Sequence, residues 1–437
     1  MINKGNWNKA QIELKNNKNN ATSFIFTEKN TQNTGKLKDV VFTIKDVFAT
    51  KNAPTQASSL FLENFQPNYN ATVVEKLLKE GASPVAKVHN DELALGGEGI
   101  YSAFGLIYNP LDSKRKVGGS SSGSAATLTE NISFSLASDT GDSVRLPASF
   151  VGKVGFKPSY GAVSRYGMFA YSSSLDTVSW FAHNVNDIAK IAQVLYGKDE
   201  KDLTSKYVDI NNIYSKKPLK IGFFDFKVDD YFYNKFNKFI KHLKQKTTVE
   251  KVEINETLLN AIKPTYEIIS YSEASSNLAN LNAIAFGKRE QGKNWEDIMI
   301  KSRSKHLGKM VQKRMILGSF FLEKNNQEFL FLRAQKIRRL IKNYFDEIHS
   351  KYDILIYPCT QSIAPLINEQ KTFNYIDTIL TASNLAWNPS LTLKLGESPA
   401  EQLPFSIAID AKLYNDQDLL SHSLWIEKEI KEMEQNE

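Results

Sequence analysis

The stretch "SFSLASDTGDSVRLPASF", residues 133–150, decides the reading of this chain. It runs from a strand-like apolar segment through Asp-Thr-Gly into the start of a helix. Four successive backbone N–H groups, those of Thr140, Gly141, Asp142 and Ser143, can converge there on one point. Such a nest binds an anion or a developing oxyanion. Ser143 then reads as a nucleophile beside its own oxyanion hole. The plainer reading is an N-cap, with Ser143 or Asp139 accepting the first free N–H of the helix. Taken by itself, the stretch favours the cap.

Two neighbouring stretches change the balance. "VVFTIK", residues 40–45, is an apolar strand that ends on Lys45. A lone lysine there usually snorkels to water. A desolvated one has its pKa pushed below about 10.4 and can serve as a base. "KVGGSSSGSAA", residues 116–126, is a Gly/Ser loop leading into a helix. Within it, Gly119-Ser120-Ser121-Ser122-Gly123 fits the nucleophile-elbow pattern, in which Ser121 would attack. An elbow needs a strand just before it, and the polar "NPLDSKRKV" stands there instead. A serine nucleophile needs a base, and no histidine sits in a telling context. Lys45, Ser120 and Ser143 can form a relay in its place, with Lys45 taking a proton from Ser120 and Ser120 from Ser143.

The rest of the chain frames these residues. Of 437 residues, 41% are hydrophobic, enough for a large core. Strand patterns at "KDVVFTIKDV", "PVAKV", "PLKIGFFDF", "VEKVEI" and "YDILIYP" alternate with helical patterns at "ATVVEKLLKEGA", "NVNDIAKIAQVLYG" and "DDYFYNKFNKFIKHLKQ". Further helices are expected around residues 264–286 and 309–347, with a closing helix at "DQDLLSHSLWIEKEIKEME". The alternation predicts an α/β fold with a mixed central sheet and helices on both faces. Residues 1–35, rich in Asn and Lys, read as an N-terminal arm or short helix, and residues 36–437 as a single catalytic domain.

The net charge of +7 is spread along the chain. Its densest stretch, "RAQKIRRLIKNYF", reads as the solvated face of a helix. The single cysteine, Cys359, excludes an internal disulfide and fits a reducing cytosol. The absence of a long apolar run or a leader-like N-terminus predicts a cytoplasmic chain with no membrane partner. No Cys/His grouping has zinc-ligand spacing, so no metal is expected.

"VFTIKDV", "GGSSSGSAA", "SDTGDSVRLPASFVGKVGFKPSYGAVSRYG" and "SSSLDTV" together resemble the amidase signature family. "ENFQPNYNATVVEKLLKEGA", "NDELALG", "SRYG" and "YSEASSNL" point to its branch of glutamine-dependent tRNA amidotransferase subunits. The resemblance implies the large amidase-signature fold and a Lys–cis-Ser–Ser triad made of Lys45, Ser120 and Ser143. It also implies a glutamine pocket formed by Tyr266 in "PTYEII", Arg314 in "VQKRMILG" and Asp377 in "NYIDTILTASNLA". Arg314 would clamp the α-carboxylate of free glutamine and Asp377 its α-ammonium. No cofactor is implied on this chain. ATP and Mg are implied on a partner B subunit that activates Glu on Glu-tRNA(Gln), with a small C subunit joining the assembly.

Asp142 stands where the family has Gly. A carboxylate near an oxyanion is tolerable only if it faces away, so Asp142 is expected to pair with Arg145 and point outward. Two rival functions remain: a stand-alone amidase of another small amide, and a non-catalytic scaffold subunit of the same complex.

Overall fold

A computed structural model describes residues 2–32, 34–369 and 374–435. Its centre is one mixed sheet of eleven strands. In chain order these are β1 (Thr22–Ile25), β2 (Val41–Lys45), β3 (Ser83–Val88), β4 (Phe134–Asp139), β5 (Val154–Lys157), β6 (Thr177–Ala182), β7 (Lys220–Phe223), β8 (Thr248–Lys251), β9 (Ile354–Pro358), β10 (Ser390–Glu397) and β11 (Pro404–Asp410). Across the sheet the order is β1-β3-β2-β4-β6-β5-β10-β11-β9-β7-β8. β2 lies parallel to both β3 and β4, and β7 lies parallel to β8 and β9. The other pairs are antiparallel.

Every residue of β2, β3, β4, β5, β6, β9 and β11 is buried. A strand covered on both faces can be apolar throughout rather than alternating, which is how "VVFTI" and "ILIYP" read. Phe42 of β2 stacks on Phe134 of β4, with ring centroids 4.9 Å apart. This pair fixes the register that brings the carboxyl ends of the two parallel strands side by side. Lys45 ends one strand and Asp139 the other. The crevice beyond the carboxyl ends of parallel strands is where α/β sheets place their ligands.

The segment read as an arm is part of this architecture. Asn6 caps the helix Trp7–Asn16 by accepting from Lys9 N. Trp7, Ala10 and Leu14 are buried, and Trp7 Nε1 donates to Pro84 O at 3.0 Å. β1 then pairs with β3 at the sheet edge.

Helix boundaries differ from the sequence expectation in two places. The helix expected from residue 264 spans Glu256–Asn277, with Asn255 accepting from Leu258 N. Proline commonly marks a helix start, but Pro264 lies inside this helix. The long helix expected over 309–347 is two, Lys309–Leu322 and Arg333–Lys351, with a π-type turn at Glu328–Leu332. The second is not only a solvated face. Arg338 is buried, donates through Nε to Leu385 O at 2.9 Å, and stacks over Trp387. No helix among the described residues is long and apolar enough to cross a membrane.

Candidate active site

Lys45 is fully buried, and its Nζ sits among three hydroxyls. It lies 2.8 Å from Ser120 Oγ, 2.9 Å from Ser121 Oγ and 2.9 Å from Ser138 Oγ. Burial lowers its pKa to about 7, against the opposing charges of Asp91, Asp139 and Asp176. A substantial fraction of this amine is therefore neutral near pH 7 and can accept a proton.

The Gly119–Ser120 peptide bond is cis. The Gly/Ser loop is pinned at both ends. Gly119 N donates to Gly97 O at 3.0 Å, and Ser121 N donates to Ser143 O at 3.3 Å. The second contact brings the two serine segments side by side. No strand immediately precedes the loop, and Ser121 is wholly buried with its Oγ donating to Ser138 O at 3.0 Å. The elbow reading fails on both counts.

Ser143 does not cap the helix that follows it, Arg145–Val151. Asp139 takes that role, with Oδ2 accepting from Val144 N at 2.9 Å. Three carbonyls of the turn are engaged: Gly141 O by Arg145 Nη2, Asp142 O by Leu146 N and Ser143 O by Ser121 N. The N–H groups of Thr140, Gly141, Asp142 and Ser143 have no hydrogen-bonded acceptor among the described residues. Successive N–H groups left free in a tight turn are the donors an anion nest uses. Thr140 is held by Asp176, whose Oδ1 accepts from Thr140 Oγ1 at 2.7 Å.

Ser143 opens on a cavity of about 490 Å³ whose wall includes Asp142, Tyr266, Arg314 and Asp377. Arg314 is buried; its Nη1 donates to Tyr171 Oη at 2.8 Å and its Nη2 to Gly96 O at 2.6 Å. Its Nε has no partner among the described residues. Tyr266 packs its ring against Gly141, where an added Cβ would lie 3.1 Å from it. Asp377 also serves its own helix, accepting from Asn374 N in a capping box. Lys45 and Ser120 lie behind Ser143, outside the wall of this cavity. Ser120 Oγ accepts from Lys45 Nζ, and no hydrogen bond among the described residues joins it to Ser143 Oγ.

The expected Asp142–Arg145 pair is not formed. Arg145 is wholly buried and turns inward to Asp139, with Nη2–Oδ1 at 2.9 Å and Nε–Oδ2 at 3.2 Å. Its remaining donors go to Leu380 O, Ser383 Oγ, Ser390 Oγ and Asn384 Oδ1. Burial pushes the Asp139 carboxyl up, but the Arg145 charge overrides it and holds the group below its ordinary value. Asp142 is left in the cavity wall rather than drawn outward. Burial, aided by the Asp139 charge, raises its pKa to about 7. Spacing alone allows an (i, i+3) pairing, but a closer carboxylate with a fixed orientation claims the guanidinium.

Sequence reasoning missed several residues around the site. Glu98, Tyr101 and Lys116 line the cavity, with Lys116 Nζ paired to Glu98. Asp91, Ser138 and Asp176 act beneath it. The block "NDELALG" contains Asp91, though its pattern assigns that residue no role. One group of metal-ligand types, His242, Glu429 and Glu432, converges among the described residues. Lys246 pairs with both glutamates, at 3.7 and 3.2 Å, so the cluster already holds a cation of the protein's own.

The model of the amidase family matches residues 10–420. The A subunit of the glutamyl-tRNA(Gln) amidotransferase of Mycoplasma genitalium is 36% identical, over 96% of this chain and 93% of its own length. Its counterpart from Saccharolobus solfataricus is also 36% identical, over 91% and 85%. The crystal structure of the protein of that name from Thermotoga maritima superposes with a TM-score of 0.79 at 30% identity, covering 98% of this chain and 95% of that one. A 6-aminohexanoate cyclic dimer hydrolase shares the fold, with a TM-score of 0.81 at 17% identity over 98% of this chain and 94% of that one. With its lysine, Gly/Ser loop and second serine gathered at the carboxyl ends of β2 and β4, this chain belongs to the amidase family.

Proposed function

We propose that this chain is the glutamine-hydrolysing subunit of a glutamyl-tRNA(Gln) amidotransferase, releasing ammonia for the conversion of Glu-tRNA(Gln) to Gln-tRNA(Gln). The observation that carries this reading is the cavity itself. It holds a serine hydroxyl, a buried guanidinium and carboxylates in one space. That set of charges complements a free amino acid, which carries both signs on one carbon. The amidotransferase relatives, aligned over most of both lengths, support the same reading.

Ser143 Oγ attacks the side-chain carbonyl of glutamine while its proton passes to Ser120 and from Ser120 to neutral Lys45. The apo hydroxyls must close on each other for this transfer, and such contacts commonly tighten only with substrate bound. The N–H groups of residues 140–143 receive the negative charge on the carbonyl oxygen. Collapse of the tetrahedral adduct breaks the C–N bond, and the relay returns the proton to the departing ammonia. Water then attacks the glutamyl ester, releasing glutamate and restoring Ser143. Tyr266 and Arg314 hold the substrate on one side, with Arg314 on the α-carboxylate and Asp377 on the α-ammonium. Activation of the tRNA-bound glutamate with ATP and Mg²⁺ belongs to a partner B subunit, and a C subunit completes the assembly.

One observation favours a second reading. Asp142 in the cavity wall puts an acid beside the proposed oxyanion, as a scaffold subunit without hydrolytic activity could tolerate. Ammonia release from glutamine, measured on the chain with and without its B and C partners, separates the two. Release that depends on Ser143 supports the glutaminase. None in the full assembly supports the scaffold. Equal turnover of glutamine and simple amides supports a stand-alone amidase.

A further inference from the structure

Asp91 is a wholly buried carboxylate that the mechanism above does not use. Its oxygens accept three backbone N–H groups from one wall of the cavity. Oδ2 takes Gly97 N at 2.7 Å and Gly99 N at 3.1 Å, and Oδ1 takes Tyr101 N at 2.9 Å. Its own N–H donates to Ser120 O at 3.1 Å. The loop it gathers meets the Gly/Ser loop again where Gly119 N donates to Gly97 O. On its other side that loop accepts Arg314 Nη2 through Gly96 O.

The approach is close enough to require glycine at two points. A Cβ on Gly96 would lie 2.1 Å from Asp91 Oδ2, and one on Gly119 would lie 2.2 Å from it. Gly97 and Gly99, at φ +125° and +79°, let the chain curl around the carboxylate. A carboxylate accepting several backbone N–H groups is a rigid anchor, because each bond is charge-assisted and all are withdrawn from water.

We infer that Asp91 is a positioning residue that locks the Ser120 loop and the Arg314-bearing wall into one register, so that a single buried carboxylate couples the proton relay to the substrate clamp. The inference rests on the proposed glutaminase reading for its kinetic consequences. Asp91 also lies near enough to Lys45 for its charge to favour the ammonium form. The other groups facing Lys45 are the hydroxyls of Ser120, Ser121 and Ser138 and the charges of Asp139 and Asp176.

The test is Asp91→Asn in the assembled complex, with ammonia release followed over pH for glutamine and for a simple amide lacking α-substituents. The amide of Asn cannot accept all three N–H groups, so the wall should loosen. KM for glutamine should rise by about tenfold, with a smaller rise for the simple amide. The acid limb of the rate profile should move to lower pH by about half a unit or more, since losing a negative charge lowers the Lys45 pKa. Gly97→Ala keeps the charge, meets no neighbour with its Cβ and strains only the wall through its φ of +125°, so it should raise KM for glutamine and leave the limb in place. Equal losses for both substrates with an unmoved limb in Asp91→Asn would overturn the inference. A crystal structure of Asp91→Asn reads the same claim without turnover, so a failure of the glutaminase reading is told apart. Displacement of residues 96–101 and of Arg314 relative to Ser120 is expected. Full retention of the Gly96 and Ser120 contacts would overturn it.

Discussion

The floor and the wall of the cavity are built differently. The floor is the turn at 139–143, underlain by Lys45 at the end of β2 and by Ser120 of the Gly/Ser loop; all but the half-buried Asp142 are buried, and the group is bonded from several sides. The wall is Tyr266, Arg314 and Asp377, carried on three separate elements, Glu256–Asn277, Lys309–Leu322 and the 3₁₀ segment Tyr375–Thr381. Tyr266 and Asp377 are only partly buried. Chemistry that needs fixed distances sits at the strand ends and in the tight turns bonded to them, where neighbours determine each rotamer. Recognition sits on helices that pack onto the floor from outside the sheet, Tyr266 against Gly141 and Arg314 through Gly96 O.

If the division holds, damage to the floor should stop turnover of every amide. Ser143→Ala should cut ammonia release by at least about a thousandfold for glutamine and simple amides alike. Ser121→Ala should cost far less, and the reverse order would restore the elbow. Lys45→Arg cannot deprotonate near neutrality and should lose about a hundredfold or more on both substrates. An active Arg variant would remove Lys45 from the relay.

Damage to the wall should be selective. Arg314→Ala strands the α-carboxylate of glutamine and should cost about 2–5 kcal/mol in kcat/KM for glutamine. Simple amides should lose much less. Equal losses would mean that Arg314 supports the floor rather than the substrate.

Asp142 belongs to both regions, and its effect should be the smallest and the most pH-dependent. With its pKa raised to about 7, the acid is largely neutral below that value and charged above it. The Lys45 amine, also near 7, becomes neutral over the same range. Ammonia release should therefore rise with pH as Lys45 loses its proton, then be held back as Asp142 ionises beside the oxyanion. Asp142→Gly should leave the rise, remove the restraint, and gain about tenfold above pH 7 with little change below pH 6. A gain independent of pH would assign the effect to shape rather than charge.

The same division explains what is legible in the sequence. Strands β2 and β4, the Gly/Ser loop and the nucleophile turn all fall between residues 41 and 151, and their apolar runs and Gly/Ser punctuation read directly as structure. Tyr266, Arg314 and Asp377 carry no such local signal and emerge only through the family resemblance, because recognition joins residues on separate elements far apart in the chain. The strand pair β10–β11 sits near the middle of the sheet, between β5 and β9, yet its stretch "WNPSLTLKLGESPAEQLPFSIAIDA" is not among the strand patterns read from the sequence. Its pairing depends on partners distant in sequence. The Asp142 expectation fails for a related reason. Spacing gives which charges can meet on a helix turn, but not that Asp139, closing β4, reaches Arg145 first.

The central claim is that Ser143, at the junction of floor and wall, is the nucleophile toward a free amino acid amide. A glutamine analogue with an electrophilic carbon in place of the carboxamide tests it most directly. The assembled complex is treated with the analogue, digested, and the modified residue read by mass spectrometry. The account predicts one adduct, on Ser143, formed quickly in the unmodified protein, slowly in Arg314→Ala, and not at all in Ser143→Ala. An adduct on Ser120 or Ser121, or an equal rate with and without Arg314, would contradict it.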